Sequence, residues 1–403
     1  MVTSRRVLVS GASIAGPALA WWMQRYGWEV VVVERADELR TAGQNIDVRG
    51  AGREVARKMG LEDAIRASGT GELGTRFVGR DGRTRAELPA GTGDTDGATA
   101  ELEILRGELA RLLVEHSRET TDYRFGTTIA ALDDHADGID VTFADGREET
   151  FDVVVAADGM RSRTRRLVVG DRAQIQPKGM YTAYLTIPRV ASDTDWWRWY
   201  SAPGGRSVTL RPDNLGTIRA TLSFLSPPRG YEDLDDPSQR DLLSRLFADA
   251  GWETPRVLDG LRHADEYYFE QVGQVHSPTW HQGRAALVGD AAYCASPVSG
   301  MGTSLGLTGA YVLAGELAAH VDHRDAFAGY ERIMRPYVDQ AQDLPPGTPR
   351  LANPRTRAGI AALHGVLALA ATPVGRSVGA RLFRPPADRI ELPDYSHLER
   401  ATD

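Results

Sequence analysis

Val7-Leu-Val-Ser10 runs directly into Gly11-Ala-Ser-Ile-Ala-Gly16, and Pro17–Tyr26 then follows with helical spacing. The next run, Glu29–Val33, is β-branched and apolar from Val30 onward. An unbroken apolar run of this kind suits a parallel strand covered on both faces, so the chain opens as a βαβ unit. Pro17 fits the first helical turn, where its missing N–H costs nothing, and Gly27 closes the helix as a C-cap. A tight glycine turn between a parallel strand and a helix aims backbone N–H groups at an anion, and the helix N-terminus adds partial positive charge. Gly11 makes the turn and Gly16 lets the helix pack closely. Between them lie Ser13, Ile14 and Ala15, with Ser13 where the G-x-G-x-x-G fingerprint has its middle glycine. Glu34 ends the second strand, 18 residues beyond Gly16, where an acid bonds a ribose hydroxyl. Loop, helix and acid together read as a dinucleotide site; the loop alone also fits a structural turn.

Two later segments carry related chemistry. Asp152-Val-Val-Val-Ala-Ala-Asp158-Gly159 is a buried strand delivering Asp158 to a turn, followed by Arg161, Arg163 and Arg165. Arginines there can face a pyrophosphate or a nicotinamide phosphate, or simply be solvated. The strand Ala285–Val288 enters Gly289-Asp290-Ala-Ala-Tyr293, and Pro297-Val-Ser-Gly300-Met301-Gly302 opens a further helix. Asp290 at a strand end can bond a sugar-like chain. The free N–H groups behind Gly300 and Gly302 can stabilise an anion.

Taken in this order, the three segments resemble those of the class A flavoprotein monooxygenases of the p-hydroxybenzoate hydroxylase type. The likeness spans about residues 5–340. Within that family the chain most resembles the tetracycline-inactivating monooxygenases, on Glu34-Arg35…Arg40…Gly43-Gln-Asn-Ile-Asp47 and on Ile104-Leu105-Arg106-Gly-Glu-Leu109. The resemblance implies non-covalent FAD, with NAD(P)H and O2 as co-substrates. It also implies oxygenation of an aromatic or polyketide-like molecule through a flavin C4a-hydroperoxide, in natural-product biosynthesis or antibiotic modification. By the same resemblance Glu34 holds the adenosine ribose and Arg35 lies along the adenosine half. Asp47 and Arg106 contact the ribityl and flavin half, and Asp290 the ribityl or pyrophosphate. Pro297 lies over the flavin, Gly302 at its edge, and Arg40 is the NAD(P)H contact. Tyr293 departs from the family, which has His after Gly-Asp-Ala-Ala.

Composition narrows the field. The 403 residues are 42% hydrophobic and 25% charged, with net charge −8, a poor match to nucleic acid or an anionic membrane. Lysine occurs only at Lys58 and Lys178. The single cysteine, Cys294, excludes an internal disulfide or a Cys-based metal site and reads as a buried small residue. No metal motif is visible, so no metal is expected. The apolar stretch 358–371 is shorter than the roughly 20 residues that span a bilayer. With no signal-peptide pattern, a cytoplasmic monomer or homodimer is expected.

The expected fold is α/β: a Rossmann-like FAD-binding domain with a mostly parallel sheet (1–73, 98–175, 277–345), an antiparallel-sheet substrate domain (74–97, 176–276), and a C-terminal helix and tail (346–403). Helices are expected near Arg53–Ser68, Leu102–Ser117, Pro237–Ala250, Gly302–His320, Asp325–Gln342 and Arg355–Thr372, with a loop at Asp94–Ala100. Met180–Phe224 alternates and is rich in aromatics, which suits the roof of a cavity for a large, mostly apolar ligand. Tyr184, Trp197, Trp199 and Arg211 are the candidate substrate contacts. Trp197 and Trp199 share one strand face, and Trp196 and Tyr200 the other. A flavin-dependent halogenase on the same fold is an alternative, although Trp197-Arg-Trp199 is not followed by that family's Ile-Pro. A reductase or dehydrogenase, or a non-catalytic FAD-containing partner, stays open at this point.

Overall fold

The structure is a computed structural model describing residues 5–40, 43–90, 102–264, 267–345, 347–372 and 390–399. The loop expected at 94–100 and much of the tail beyond 372 lie outside the described residues.

Arg6–Ser10 occupies the middle of a six-stranded sheet, flanked in parallel by Glu29–Glu34 and Val153–Ala156. Thr121–Phe125 extends it beyond Glu29–Glu34, and Ala285–Leu287 beyond Val153–Ala156. All three strand ends that carry the expected motifs therefore emerge side by side at the carboxyl edge of one parallel sheet, the edge where such sheets bind ligands. The helices Ala15–Arg25 and Gly302–Ala319 pack together against this layer. Helix Gly302–Ala319 is buried over nearly its whole length, which explains its lack of an amphipathic pattern.

A second sheet of seven strands runs Tyr267–His276, Gln174–Pro188, Thr217–Leu225, Arg206–Pro212, Trp197–Ala202, Gly74–Val78 and Thr84–Pro89. Its two faces differ. One buries Tyr181, Leu185, Tyr200, Val208 and Leu222 against helices Asp236–Phe247 and Thr254–His263 in a separate apolar core. Cross-strand pairing lines up Tyr268, Tyr184, Thr221, Thr209, Trp199 and Phe77 in one row on the opposite face. Alternation along the strands thus sorts apolar residues to the helices and aromatic and hydroxyl residues to the other side.

Two expectations are corrected. The helix expected over Arg53–Ser68 is two, Gly50–Lys58 and Glu62–Ala67, because Gly60 at φ 73° turns the chain between them. Glu103–Leu105 is a strand, not the start of a helix: it pairs antiparallel with Asn45–Asp47, and the helix begins at Arg106. Described residues of the expected tail pack onto the first domain. Tyr395 is buried in the nucleotide-side core, where its hydroxyl donates to Glu316 at 2.6 Å, and Tyr311 donates to the Pro393 carbonyl at 2.7 Å.

Candidate active site

The glycine loop is built as its sequence requires. A Cβ on Gly16 would stand 1.9 Å from the Gly11 carbonyl oxygen, and one on Gly11, at φ 113°, would stand 2.6 Å from that of Ala157. Only glycine permits the turn to close against the Asp158 segment. Ile14 and Ala15 face inward: Ile14 packs on the core, and the Ala15 methyl lies 2.9 Å from where Gly289 would carry a Cβ. Ser13 faces the cleft and accepts a hydrogen bond from Arg106 Nη1 at 2.9 Å. The Glu34 carboxylate accepts from the Ala12 and Ala36 N–H groups at 3.0 and 3.1 Å, which fixes it beside the loop. Arg35 and Arg40 are exposed on the turn beyond it.

Arg106 is where the predicted cofactor residues meet. As the first helical residue after the short strand, it projects under the loop, and a Cβ on Gly43 would come within 2.8 Å of its Nε. Burial lowers the pKa of this guanidinium; Tyr268 opposes that shift, Arg40 adds to it, and Asp290 and Glu34 oppose it. Asp290 completes the picture. It carries exposed surface, yet burial pushes its carboxyl above the usual range, with the Cys294 thiol and Arg106 pulling it back. A group both accessible and desolvated lies on the wall of an internal cleft, and the exposed surface is the better guide to what a ligand can reach. Next to it, helix Gly302–Ala319 starts without a side-chain cap, so its first N–H groups are open to a ligand; a Gly302 Cβ would lie 3.8 Å from Asp290 Oδ1. Pro297 and Gly300 are exposed and Met301 is buried behind them. Ser296, just ahead of Pro297, sits at φ 78°, a strained conformation held by the surrounding turn. Asp47 pairs with Arg49 at 2.9 Å on the adjoining strand.

Glycine cradle, ribose-side acid, buried arginine, cleft aspartate and open helix N-terminus together fit FAD: donors for its phosphates, acids for its hydroxyls, and positive partial charge where a reduced ring is anionic. No groups of three or more metal-ligating side chains occur among the described residues. No helix among them is long and apolar enough to cross a membrane.

The sequence profile described as an FAD binding domain matches residues 4–344. The chain belongs to that family. It is 33% identical to the FAD-dependent monooxygenase asL4 of Sarocladium schorii, with 98% of each chain covered. It is 36% identical to a flavin-dependent monooxygenase of Legionella longbeachae, covering 84% of this chain and 87% of the relative. Tetracycline destructase Tet(55) superposes with a TM-score of 0.80 at 32% identity, covering 98% of this chain and all of that one. The protein is a class A FAD-dependent monooxygenase with the p-hydroxybenzoate hydroxylase fold.

Other residues of these motifs also tie the chain together. The Asp158 carboxylate caps the helix Thr164–Val169, accepting from Arg163 N at 3.1 Å and from Thr164 N and Oγ1 at 3.2 and 3.0 Å. Arg165 turns inward and donates to the carbonyls of Ala291 and Met160 at 3.1 and 2.8 Å, tying the second motif to the third. Tyr293, in the place of the family histidine, points away from the cleft. Its hydroxyl meets that of Tyr330 at 3.0 Å in the core, and Gly309 is needed because a Cβ there would fall 1.9 Å from it. A separate cavity of about 300 Å³, lined by Arg172, His276, Trp280 and Tyr293 among others, includes none of the expected cofactor residues.

On the sheet side, Tyr184 and Trp199 lie in the aromatic row, and Trp197 neighbours Trp199 with ring centroids 5.2 Å apart. Arg211 stacks on Trp197 at 4.3 Å and donates to Glu72 at 2.8 Å and also to Glu103. Sequence reading missed these two acids, and it missed Glu270. Glu270 Oε1 accepts from Tyr184 at 3.2 Å and Oε2 from Tyr268 at 3.1 Å. A signal was present: Tyr268 and Glu270 are two apart in the strand Tyr267–His276 and so share a face.

Proposed function

We propose that the cleft between Asp290 and Arg106 on one side and the row Tyr268–Tyr184–Trp199–Phe77 on the other holds FAD against an aromatic or polyketide-like substrate. With NAD(P)H and O2 the protein would add one oxygen atom to that substrate. The convergence of Ser13, Glu34, Arg40, Asp290 and Tyr268 around Arg106 carries this reading, since these residues come from separate segments and surround one buried cation. Glu34 and Arg35 serve the adenosine half; Asp47, Arg106 and Asp290 the ribityl side; Pro297, Gly300, Met301 and Gly302 the ring. Exposed Arg40 takes the phosphates of a transiently bound NAD(P)H. Trp197, Trp199 and Tyr184 form the apolar wall, and Arg211 supports it from behind. The division into 1–73, 98–175 and 277–345 as cofactor domain and 74–97 and 176–276 as substrate domain is supported by the two separate apolar cores. When bound, FAD supplies the redox and oxygen chemistry; the chain supplies placement, water exclusion and charge.

The likeness to tetracycline destructase Tet(55) makes tetracyclines and other phenolic polyketides the first compounds to try. The FAD-loaded protein is incubated with each compound, NAD(P)H and ¹⁸O2. The reading expects compound-dependent NAD(P)H consumption and a product carrying one ¹⁸O atom. A product that is only reduced, or label arriving from water, would overturn it.

A further inference from the structure

Glu270 is the buried acid in this cleft that has not been given a role. It is 7% exposed, and each of its oxygens accepts a hydrogen bond from a tyrosine hydroxyl. The charged and titratable groups around it come from every packed element. Tyr184 lies on the neighbouring strand and Tyr268 on its own. Asp290 and Cys294 come from the turn that follows Ala285–Leu287. Arg161 comes from the second motif, and it also faces Glu232 at 3.6 Å; Arg106 stands beyond Tyr268. Burial pushes the Glu270 carboxyl up to about 7; the two tyrosines pull it down, Asp290 raises it and Arg161 lowers it. No arginine forms an ion pair with it among the described residues, unlike Glu103, which holds Arg211.

Monooxygenation has a proton requirement. Substrate RH, O2, NAD(P)H and one solvent proton give ROH, water and NAD(P)⁺. The hydride brings two electrons and one proton, so the remaining proton must enter the cleft from outside. Reduction also places negative charge in a poorly solvated cleft, where it raises the proton affinity of nearby carboxylates.

We infer that Glu270 takes up this solvent proton when the flavin is reduced, with Tyr184 and Tyr268 holding its carboxylate in place until then. The inference rests on the proposed FAD site. In the step, a hydride from NAD(P)H leaves the flavin anionic, and one proton passes from water to a Glu270 oxygen. That proton is returned with the oxygen atom that departs as water. No carbon bond at Glu270 changes, and the cleft keeps its net charge through the cycle.

The test is the midpoint potential of the FAD-loaded full chain against pH, by anaerobic dithionite titration with an indicator dye, for wild type and Glu270→Gln. One pH unit is a tenfold change in proton activity, so each proton taken up per two electrons adds about 30 mV per unit. The two proteins are expected to run parallel below about pH 7. Above it the wild type should fall away from Glu270→Gln by about 30 mV per unit, and Glu270→Asp should follow the wild type. If Glu270→Gln does not fold, Tyr268→Phe serves: losing one donor to the carboxylate should move the wild-type break to higher pH. Parallel lines throughout, or a break that Tyr268→Phe leaves in place, would overturn the inference. A chain that takes up no FAD gives no flavin potential at any pH, and that failure belongs to the cofactor reading.

Discussion

Two buried arginines, Arg211 and Arg106, are built in opposite ways. Arg211, at the substrate end, is held by Glu72 and Glu103 and covered by Trp197, and those acids raise its pKa. Arg106, at the cofactor end, donates to a neutral serine, and burial together with Arg40 lowers its pKa. Two carboxylates thus outweigh the burial of Arg211, whereas burial and a like charge outweigh Asp290 and Glu34 at Arg106, so an arriving anion would improve the surroundings of Arg106. The contrast predicts a mainly structural role for Arg211 and a ligand-binding role for Arg106.

The contrast is broken most easily at Arg211. Arg211→Ala leaves Glu72 and Glu103 buried without their cation and should cost about 3–5 kcal/mol in urea unfolding. Arg106→Ala in the FAD-free chain should cost about 1 kcal/mol or less, because a desolvated cation is removed. Equal losses would erase the distinction.

A second effect is pH-dependent. Glu270 has a folded pKa of about 7 against an ordinary 4.5. The folded chain therefore binds the extra proton between those values, and Glu270's contribution to stability declines as pH rises from 4.5 to 7, then stays level. Its full size is on the order of 3 kcal/mol. Urea midpoints of Glu270→Gln relative to wild type should rise across pH 5–7 and stop changing above pH 8. Histidines with lowered pKa values, such as His276 and His281, act in the opposite direction, and the comparison with the variant cancels them. A difference independent of pH would mean that Glu270 does not titrate in this range.

The smallest effect is expected at the surface. Arg40→Ala should raise the KM for NAD(P)H about threefold to fivefold, in line with roughly 1 kcal/mol for an exposed charge, while FAD content stays normal. An unchanged KM would leave Arg40 as a solvated side chain.

The cofactor end was the legible part of the sequence. Its signals are local: Gly11 and Gly16 around one turn, Glu34 at the next strand end, Asp290 and Gly302 a short step apart. Backbone geometry demands the glycines, and the acids stand at strand ends, so these positions can be picked out locally, while the FAD roles given to Asp47 and Arg106 came from the family resemblance. The substrate end depends on register. Trp197 and Trp199 could be placed on one face, but which face met the cleft depended on helices packing behind Tyr200. The ion pairs of Arg211 could not be read from the sequence because its partners, Glu72 and Glu103, lie more than a hundred residues away in the chain. Asp158 was read as a cofactor contact; its additional hydrogen bonds to Thr164 are a local choice that a strand-end aspartate does not announce. Tyr293 could be seen to differ from its relatives, but its burial against Gly309 and Tyr330 required the fold.

The central claim is that FAD binding is concentrated at Arg106 and Asp290 and owes little to the aromatic sheet face. The direct measurement is FAD affinity, by fluorescence quenching on apoprotein, for Arg106→Ala, Asp290→Ala and Trp199→Leu beside wild type. Loss of a charged hydrogen bond is worth about 1.5–3 kcal/mol, so the first two should bind one to two decades more weakly, and Trp199→Leu should match wild type. Wild-type affinity in Arg106→Ala and Asp290→Ala, or an equal loss in Trp199→Leu, would contradict this account.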